Sequence, residues 1–347
     1  MNTLNRPGLH SILGVAALLA ACERGPAIEL SAAAPPQVVE AVVQGVALPG
    51  FEHLTAAGKT LEESVSALCE RPDAARLASA REAWRRVNTV WRAQRPLMFG
   101  PARDAGLLRR IDLWPTHELM VDAAIRPEAD RHTRNEPSAR GLAAAEMLLF
   151  GDRHYPADEG QWSEPARCLH MADIGAEITG LTNQMANRWK TGYGPALLEG
   201  EAMAVLSLVM AEILNTVEGM LWQRVGVPAN FFRGDPRPEQ LEAWRSGQSL
   251  AGIAASLRTI EVLLAGDAGA PGIASLLIAE QPRQARGMVR ASRAALASAD
   301  AITPPLRDAL NGGRTRDLFD AIQDLKNALL DSAALLGLTI AFESDGD

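Results

Sequence analysis

The sequence predicts an all-α protein organised as two helical bundles in one chain. Apolar residues recur at spacings of three, four or seven, the period that places side chains on one face of an α-helix. The two clearest stripes are Leu77, Ala80, Trp84, Val87, Trp91 and Met98, and then Leu318, Ile322, Leu325, Leu329 and Leu336. Strand-like alternation is confined to 338–342, which is too short to build a sheet. The breakers at 192–195 (Gly-Tyr-Gly-Pro) predict a boundary between a first bundle, 37–193, and a second bundle with a C-terminal tail, 194–347.

The N-terminal 36 residues predict export and a lipid anchor. Residues 1–21 join a basic start to an apolar run, which is the pattern of a signal peptide and is too short to span a membrane. The run ends in Leu-Ala-Ala-Cys, which looks like a bacterial lipobox and predicts lipidation of Cys22; a plain signal peptide with a chance cysteine is the alternative. Residues 22–36, rich in Pro, Gly and Ala, predict a flexible tether. Glu23 favours the outer membrane of a Gram-negative-type envelope, with the protein facing the periplasm.

Charge and motifs restrict the classes of function. The formal net charge is -8 and no basic stripe stands out, so nucleic acid is not an expected partner. After the signal peptide, the best candidate for a membrane span, 202–211, is interrupted by Glu212, far short of the roughly 20 apolar residues required. The chain contains no HExxH, GxSxG or P-loop motif.

If Cys22 carries a lipid, Cys69 and Cys168 remain as an even pair. In an oxidising compartment such a pair predicts a disulfide. The bond would close a loop of about 100 residues, which is worth up to ~4.7 kcal/mol in the chain-entropy treatment. Two buried thiols are the alternative, because sequence does not show whether the residues are close in space.

A single carboxylate, Glu146, lies within ten otherwise apolar residues, 141–150. The segment predicts a helix with Ser138 as its N-cap and Gly151 after its end. Since no face of this helix is polar, we expect it to be buried on most sides, and Glu146 with it. A buried carboxylate is costly unless it is paired, hydrogen-bonded or bound to a metal. Glu146 is therefore either a site residue or a member of a structural ion pair.

The same segment resembles the imelysin-like family. The hallmark of that family is Gly-x-His-x-x-Glu on a helix, typically followed by a Leu-Leu pair, and Gly141, Glu146, Leu148 and Leu149 match it. His and Glu three residues apart project together and can bind one metal ion. Here the His position is Ala143, so the nitrogen ligand is missing. The C-terminal sequence 336–347 is similar to a lipoprotein branch of the family that also tends to lack the His.

A second stretch, 109–122, strengthens the resemblance. The family often has Trp-Pro followed by a Glu and then an Asp, and the matching residues are Trp114, Pro115, Glu118 and Asp122. In the family this helix faces the same site, which implies that Glu118 lies near Glu146 and that Trp114 forms an apolar wall. His117 occupies a position where the family often has Asp. The segment 99–101, Phe-Gly-Pro, is also family-like.

Two nearby carboxylates repel each other, so we expect at least one of Glu118 and Glu146 to have a raised pKa unless a cation lies between them. Three cations are candidates: a metal ion, Arg109, or His117 in its protonated form. In the second half of the chain, Arg245 and Ser249 are further candidates for the site, although both residue types also occur as helix caps and on surfaces.

The resemblance implies two bundles related by a pseudo-twofold, with a cleft between them, and a link to iron uptake in the bacterial envelope. Three functions are compatible with it. The first is binding of a metal, iron or another divalent or trivalent ion, or of a metal complex, through Glu146 and Glu118, together with an envelope protein of an uptake system. The second is a scaffold that binds a partner protein without metal. The third is a metallopeptidase, the class of the founding member, which Ala143 disfavours because it supplies no ligand.

Overall fold

Helices form nearly all the regular structure of the described residues. The computed structural model describes residues 28–104, 106–151, 157–231, 234–303 and 305–340. Its α-helices are α1 (Pro35–Glu40), α2 (Leu48–Glu70), α3 (Ala74–Gln94), α4 (Pro101–Asp104), α5 (Leu107–Asp112), α6 (Glu118–Ala124), α7 (Arg131–Arg134), α8 (Gly141–Phe150), α9 (Pro165–Arg188), α10 (Gly194–Glu199), α11 (Ala202–Gly219), α12 (Val227–Ala229), α13 (Ser249–Ala265), α14 (Pro282–Asp300), α15 (Leu306–Ala309) and α16 (Gly313–Leu335). Short 3₁₀ helices cover Arg95–Leu97, Pro137–Ala139, Glu159–Ser163, Pro238–Gln240 and Ile273–Leu276. The strands β1 (Gly266–Asp267) and β2 (Ala270–Pro271) pair in an antiparallel hairpin. The all-α prediction is confirmed.

Three π-helical segments each precede a proline-containing helix. They are Ala41–Ala47, Trp189–Tyr193 and Met220–Gly226, and the helices that follow carry Pro49, Pro195 and Pro228 in their first turn. Proline lacks the N–H that an α-helix requires and its ring collides with the preceding turn. A wider π turn relieves that collision, so the helical path continues through each proline.

The segment 192–195 therefore does not interrupt the helix, contrary to the expectation from its glycines and proline. The path runs from α9 through Trp189–Tyr193 into α10 and ends at Gly200. The halves of the chain on either side of Gly194 are called here the first and second halves.

The ordered fold begins earlier than the tether prediction placed it. Residues 1–27, which include the predicted signal peptide and Cys22, lie outside the described residues. The part of the predicted tether that is described, 28–36, packs Ile28, Leu30 and Ala33 against the core, and α1 begins at Pro35. Any tether is therefore shorter than 22–36.

The core is one continuous apolar cluster that spans both halves of the chain. In the first half, α2 packs between α3 and α9, and a disulfide between Cys69 and Cys168 ties the end of α2 to α9. In the second half, α14 packs against α13 and α16. The halves meet where α13 lies on α3, and there Ser256 Oγ donates a hydrogen bond to the Arg92 carbonyl at 2.7 Å.

The start of α8 depends on a glycine. Gly141 has φ +76°, and a Cβ atom there would lie 2.5 Å from the Ile111 carbonyl oxygen of α5. Only glycine combines that backbone conformation with so close an approach. The expected N-cap, Ser138, lies instead in the preceding 3₁₀ turn, because Gly141 starts the helix two residues later. The Ser138 carbonyl accepts hydrogen bonds from Thr116 Oγ1 at 2.8 Å and His117 N at 3.1 Å, which fixes the start of α6 beside α8.

One helical run of the described residues, Ala202–Ala229, is long and apolar enough by length and composition to cross a membrane. It is longer than the sequence indicated, since Glu212 does not end it. Glu212 is buried in an ion pair with Arg103, at 2.7 Å between Oε2 and Nη2. Because 61% of its most apolar 18-residue stretch is buried inside the protein, the run packs as a core helix.

Candidate functional site

Glu146 is buried, with 2% of its surface exposed, and its hydrogen-bond partner comes from the second half of the chain. Its Oε1 accepts one hydrogen bond from Ser246 N and another from Ser246 Oγ, each at 2.7 Å. Burial raises the pKa of Glu146 above its ordinary value, while the bonds from Ser246 and the charges of Arg245 and Arg92 offset part of that rise. The lone carboxylate of α8 thus holds the turn that precedes α13.

Glu118 is bound by the neighbouring residue of the same turn, Arg245. Arg245 Nη2 forms an ion pair with Glu118 Oε1, and the side chains are 7% and 53% exposed respectively. The Arg245 guanidinium also lies over the Trp244 ring, 4.5 Å from its centroid, in a cation–π contact. Consecutive residues of one turn, Arg245 and Ser246, therefore contact the two carboxylates that the family resemblance placed together.

Arg245 is the cation at the two carboxylates, since it pairs with Glu118 and its charge favours the ionised form of Glu146. Arg109 is exposed on α5, and His117 is exposed just before α6. Ser249 is buried at the start of α13, and its Oγ has no hydrogen-bond partner among the described residues. The cation thus comes from the second half of the chain, whereas neither Arg109 nor His117 lines the pocket beside it.

These residues do not fit a bare metal ion. Within the described ranges, no group of three or more His, Cys, Asp or Glu side chains is placed to hold one. Glu146 already accepts two hydrogen bonds, Glu118 is paired with Arg245, and Ala143 occupies the family's His position. A metal ion at this point would also meet the positive charge of Arg245. The donor set is thus that of a hydrogen-bonded ion-pair site.

A pocket of about 450 Å³ opens beside the Glu118–Arg245 pair. The first half contributes Trp114, Pro115, Thr116 and Glu118 to its lining, and the second half contributes Gln223, Val227, Glu239, Gln240, Trp244 and Arg245. Its size falls in the range of pockets that hold small organic molecules, about 300–1,000 Å³. Two indole side chains, Trp114 and Trp244, supply aromatic surface, and carboxylate, amide and guanidinium groups supply polar contacts.

A buried ion network lies behind the turn that carries Trp244, Arg245 and Ser246. Arg92 of α3 pairs with Asp112 in two contacts, one of them 2.7 Å from Nη2 to Oδ1, and with Glu242 Oε1 at 2.9 Å. The opposite oxygen of Glu242 accepts from Arg224 Nε at 2.5 Å. All four side chains are at most 10% exposed. The network therefore joins α3 and the end of α5 to the second half, two residues before Trp244.

In this network, opposite charges outweigh the cost of burying Glu242 and Arg92. Burial by itself would raise the pKa of Glu242, but Arg224 and Arg92 outweigh it and lower the pKa to about 2. Burial likewise disfavours the charged form of Arg92, but Asp112 and Glu242 outweigh it and raise its pKa. Arg95 adds a further guanidinium, whose pKa is lowered by burial and by the nearby charge of Arg224. Glu242 is therefore ionised at neutral pH.

Sequence reasoning missed Ser246, Glu242 and the arginines of the network. For two residues of the network, the sequence offered an indication, because each lies near a tryptophan of a segment already singled out. Arg92 follows Trp91, and Asp112 lies two residues before Trp114. Trp91 Nε1 donates to Asp112 Oδ2 at 2.8 Å, so both motifs meet at one carboxylate. The partners from the second half carried no local signal, because nothing in the sequence around 242–246 shows which residues of the first half it faces.

Fold and site together define a class of protein: an all-α protein with an aromatic-walled pocket and a buried ion network where its two halves meet. The chain belongs to the imelysin family, whose model (Imelysin, Peptidase_M75) matches residues 47–336.

Named relatives and solved structures agree with that assignment. The chain is 28% identical to the iron-regulated protein A of Synechococcus elongatus over 178 residues, which are 51% of this chain and 45% of that protein. The match thus spans less than half of that relative's length. A structure from Parabacteroides distasonis, described as that of an iron-regulated protein A precursor, superposes with a TM-score of 0.76 at 20% identity, covering 90% of this chain and 98% of that one. An imelysin-like protein from Psychrobacter arcticum superposes with a TM-score of 0.68 at 17% identity, covering 91% and 100%. At these identities the structures show the shared fold.

Proposed function

We propose that this chain is a lipid-anchored, periplasm-facing binding protein of an iron-uptake system, and that its ligand is a metal complex rather than a bare ion. The observation that carries the proposal is the pocket of about 450 Å³ between Trp114 and Trp244, beside the Glu118–Arg245 pair. The iron context comes from the names of the relatives, and the compartment comes from residues 1–22. Ala143 supplies no ligand for a peptidase metal, so hydrolysis is not proposed.

The pocket suits an organic ligand because its lining combines aromatic surface with polar and charged groups. Indole faces stack on flat or aromatic groups and attract cations, and they bury a large apolar area without losing much side-chain entropy. Glu118, Glu239 and Gln240 offer carboxylate and amide groups to the polar parts of a ligand. A chelated metal presents organic surface to its binding protein, so the protein does not have to supply the coordinating atoms.

Trp114→Ala is expected to weaken binding of the complex at least tenfold. Loss of one stacked indole removes about 1.5–3 kcal/mol of burial and stacking, which is roughly 10- to 100-fold in affinity. The measurement is calorimetric titration with ferric citrate, a ferric tris-catecholate and a ferric hydroxamate, with ferric and zinc ions alone for comparison. We expect the parent protein to bind at least one complex and neither bare ion.

Trp222→Ala is the matched control for that titration. Trp222 is 43% exposed, packs on Phe319 and lies outside the pocket lining, so its loss should leave binding unchanged. Tight binding of a bare ion by the parent, or equal binding of the complex by both alanine variants, would contradict the proposal.

A partner protein is the second candidate occupant. Two apolar side chains are exposed beside the pocket: Val227, in its lining, is 50% exposed, and Leu119, which follows Glu118, is 71% exposed. Exposed apolar side chains around a pocket are typical of protein interaction sites. If no iron complex binds while the protein remains folded, this scaffold function replaces the first.

Cys22→Ser is expected to move the protein from the membrane fraction to the soluble periplasmic fraction. The serine hydroxyl cannot take the place of the lipidated thiol, so the chain loses the proposed lipid that holds it on the membrane. Fractionation followed by immunoblotting measures the change. Membrane association equal to that of the parent would rule out the lipobox interpretation.

A further inference from the structure

Three arginines form a basic stripe on one face of α14, although the net charge of the chain is acidic. Arg283, Arg286 and Arg290 are all exposed, and their spacing of three and four residues places them on one helix face. They extend over roughly 10 Å of the helix at ~1.5 Å per residue. The opposite face of α14 is buried against α13 and α16. The stripe becomes visible only from the helix boundaries and the exposure of these side chains, contrary to the expectation from sequence that the chain has no basic stripe.

The stripe is not neutralised within the described part of the chain. None of its three arginines has a carboxylate within 4.0 Å there, whereas the next basic residue along the helix, Arg293, pairs with Glu261 at 2.8 Å. Gln284 lies on the α16 side of α14, where its Nε2 donates a hydrogen bond to the Ala328 carbonyl at 3.4 Å. The nearest acidic residue in the sequence is Glu280, which is exposed before the helix begins.

The N-terminal segment enters the fold at the end where α14 begins. Residues 29–33 line a groove together with the hairpin 265–271 and Ser275. Ser275 belongs to the 3₁₀ helix Ile273–Leu276, which packs against α14. The chain that precedes Ile28, with the proposed lipid on Cys22, therefore starts from the same end of the molecule as Arg283 and Arg286.

We propose that Arg283, Arg286 and Arg290 dock on the anionic phospholipid headgroups of the membrane that carries the lipid anchor. The occupant is inferred from charge complementarity and from the point at which the anchored segment leaves the fold, so the inference rests on the proposed lipid anchor. A lipid chain joined to a basic surface binds a membrane far more firmly than either alone. The docking also fixes which side of the protein faces the bilayer.

The test uses the exported chain carrying Cys22→Ser, so that no lipid contributes. Its co-sedimentation with vesicles of phosphatidylglycerol and phosphatidylcholine is compared with its co-sedimentation with phosphatidylcholine alone. We expect preference for the anionic vesicles, weakened by salt. The triple variant R283Q/R286Q/R290Q should lose about fivefold in affinity per arginine, or roughly 100-fold in all.

A second triple variant, R86Q/R126Q/R188Q, removes the same charge from exposed positions scattered over the first half. It should keep most of the affinity for anionic vesicles. Equal losses in both variants would show a general charge effect and overturn the proposal, as would a parent without preference for anionic vesicles. Circular dichroism checks that each variant is folded. The vesicle assay contains no lipid-modified protein, so it does not test the proposed lipid anchor. An error in the anchor proposal would appear only in the Cys22→Ser fractionation, and an error in the arginine proposal would appear only in the vesicle assay.

Discussion

Glu242→Gln is expected to lower the free energy of unfolding by about 3–5 kcal/mol, because it removes the counter-charge of buried Arg224 and one of the two carboxylates that pair with buried Arg92. Among the described residues, Glu242 is the one carboxylate that contacts both Arg92 and Arg224, at 2.9 and 2.5 Å. Glutamine keeps the shape of the side chain and one acceptor oxygen. The decrease in stability therefore measures the effect of removing the charge and not the effect of creating a cavity. Urea unfolding followed by circular dichroism at about pH 7 measures it.

Glu52→Gln provides the matched control. Glu52 pairs with Lys190 at 3.1 Å, but the two side chains are 57% and 65% exposed, so solvent screens the pair. Loss of this exposed ion pair should lower the free energy of unfolding by about 1 kcal/mol or less. Similar effects of the two substitutions would mean that the buried network does not join the halves of the chain.

The effect of Glu242→Gln should depend on pH in a defined direction. The folded-state pKa of Glu242, about 2, lies below its ordinary value of 4.5. Its stabilising contribution is therefore complete above about pH 4.5 and is lost as the pH falls towards about 2. The difference in stability between parent and variant should shrink over that interval. Glu146 acts in the opposite sense, since burial raises its pKa and its ionisation costs stability as the pH rises.

Removal of the disulfide, by Cys69→Ser with Cys168→Ser, is expected to cost about 2–5 kcal/mol. The bond joins residues 99 positions apart, with the two Cα atoms 5.6 Å apart. Closing so long a loop removes many conformations from the unfolded chain, and that restriction is the main source of the stabilisation in the chain-entropy treatment. Thermal and urea unfolding of the double variant give the magnitude.

Reduction of the parent is the control for the disulfide. Dithiothreitol should destabilise the parent by the same amount as the double substitution and leave the double variant unchanged. A parent that contains two free thiols by mass spectrometry of unreduced peptides, or that is insensitive to reductant, would contradict the prediction. An intact bond in protein taken from cells also favours the oxidising compartment proposed from residues 1–22.

The ion network and the family motif both hold the turn that lines the pocket. Glu242, Trp244, Arg245 and Ser246 lie within five consecutive residues, and each contacts a group that organises the site. Glu146 holds this turn through Ser246, while Glu242 holds it through Arg92 and Arg224. In this chain the carboxylate of α8 therefore holds the turn that contributes Trp244 and Arg245 to the pocket wall.

The sequence by itself determined the helical class, the burial of Glu146 and the family resemblance. Each depends on local information: the 3.6-residue period, an apolar segment around one charge, and short motifs such as 141–149. It also indicated that Gly151 ends this helix, but it placed the cap at Ser138 rather than at the residue before Gly141. The glycine is required because the Ile111 carbonyl lies where a side chain would begin.

Only the tertiary structure decided what each charge contacts. Ser246 is 100 positions from Glu146, and Arg245 is 127 positions from Glu118, so no periodicity or spacing relates them. Arg109 and His117 were reasonable candidates because they are close to Glu118 in the sequence, yet the cation came from the other half of the chain. Buried charges select partners by distance and direction in the folded core, where low polarity strengthens each contact. That geometry exists only after the two halves have packed together.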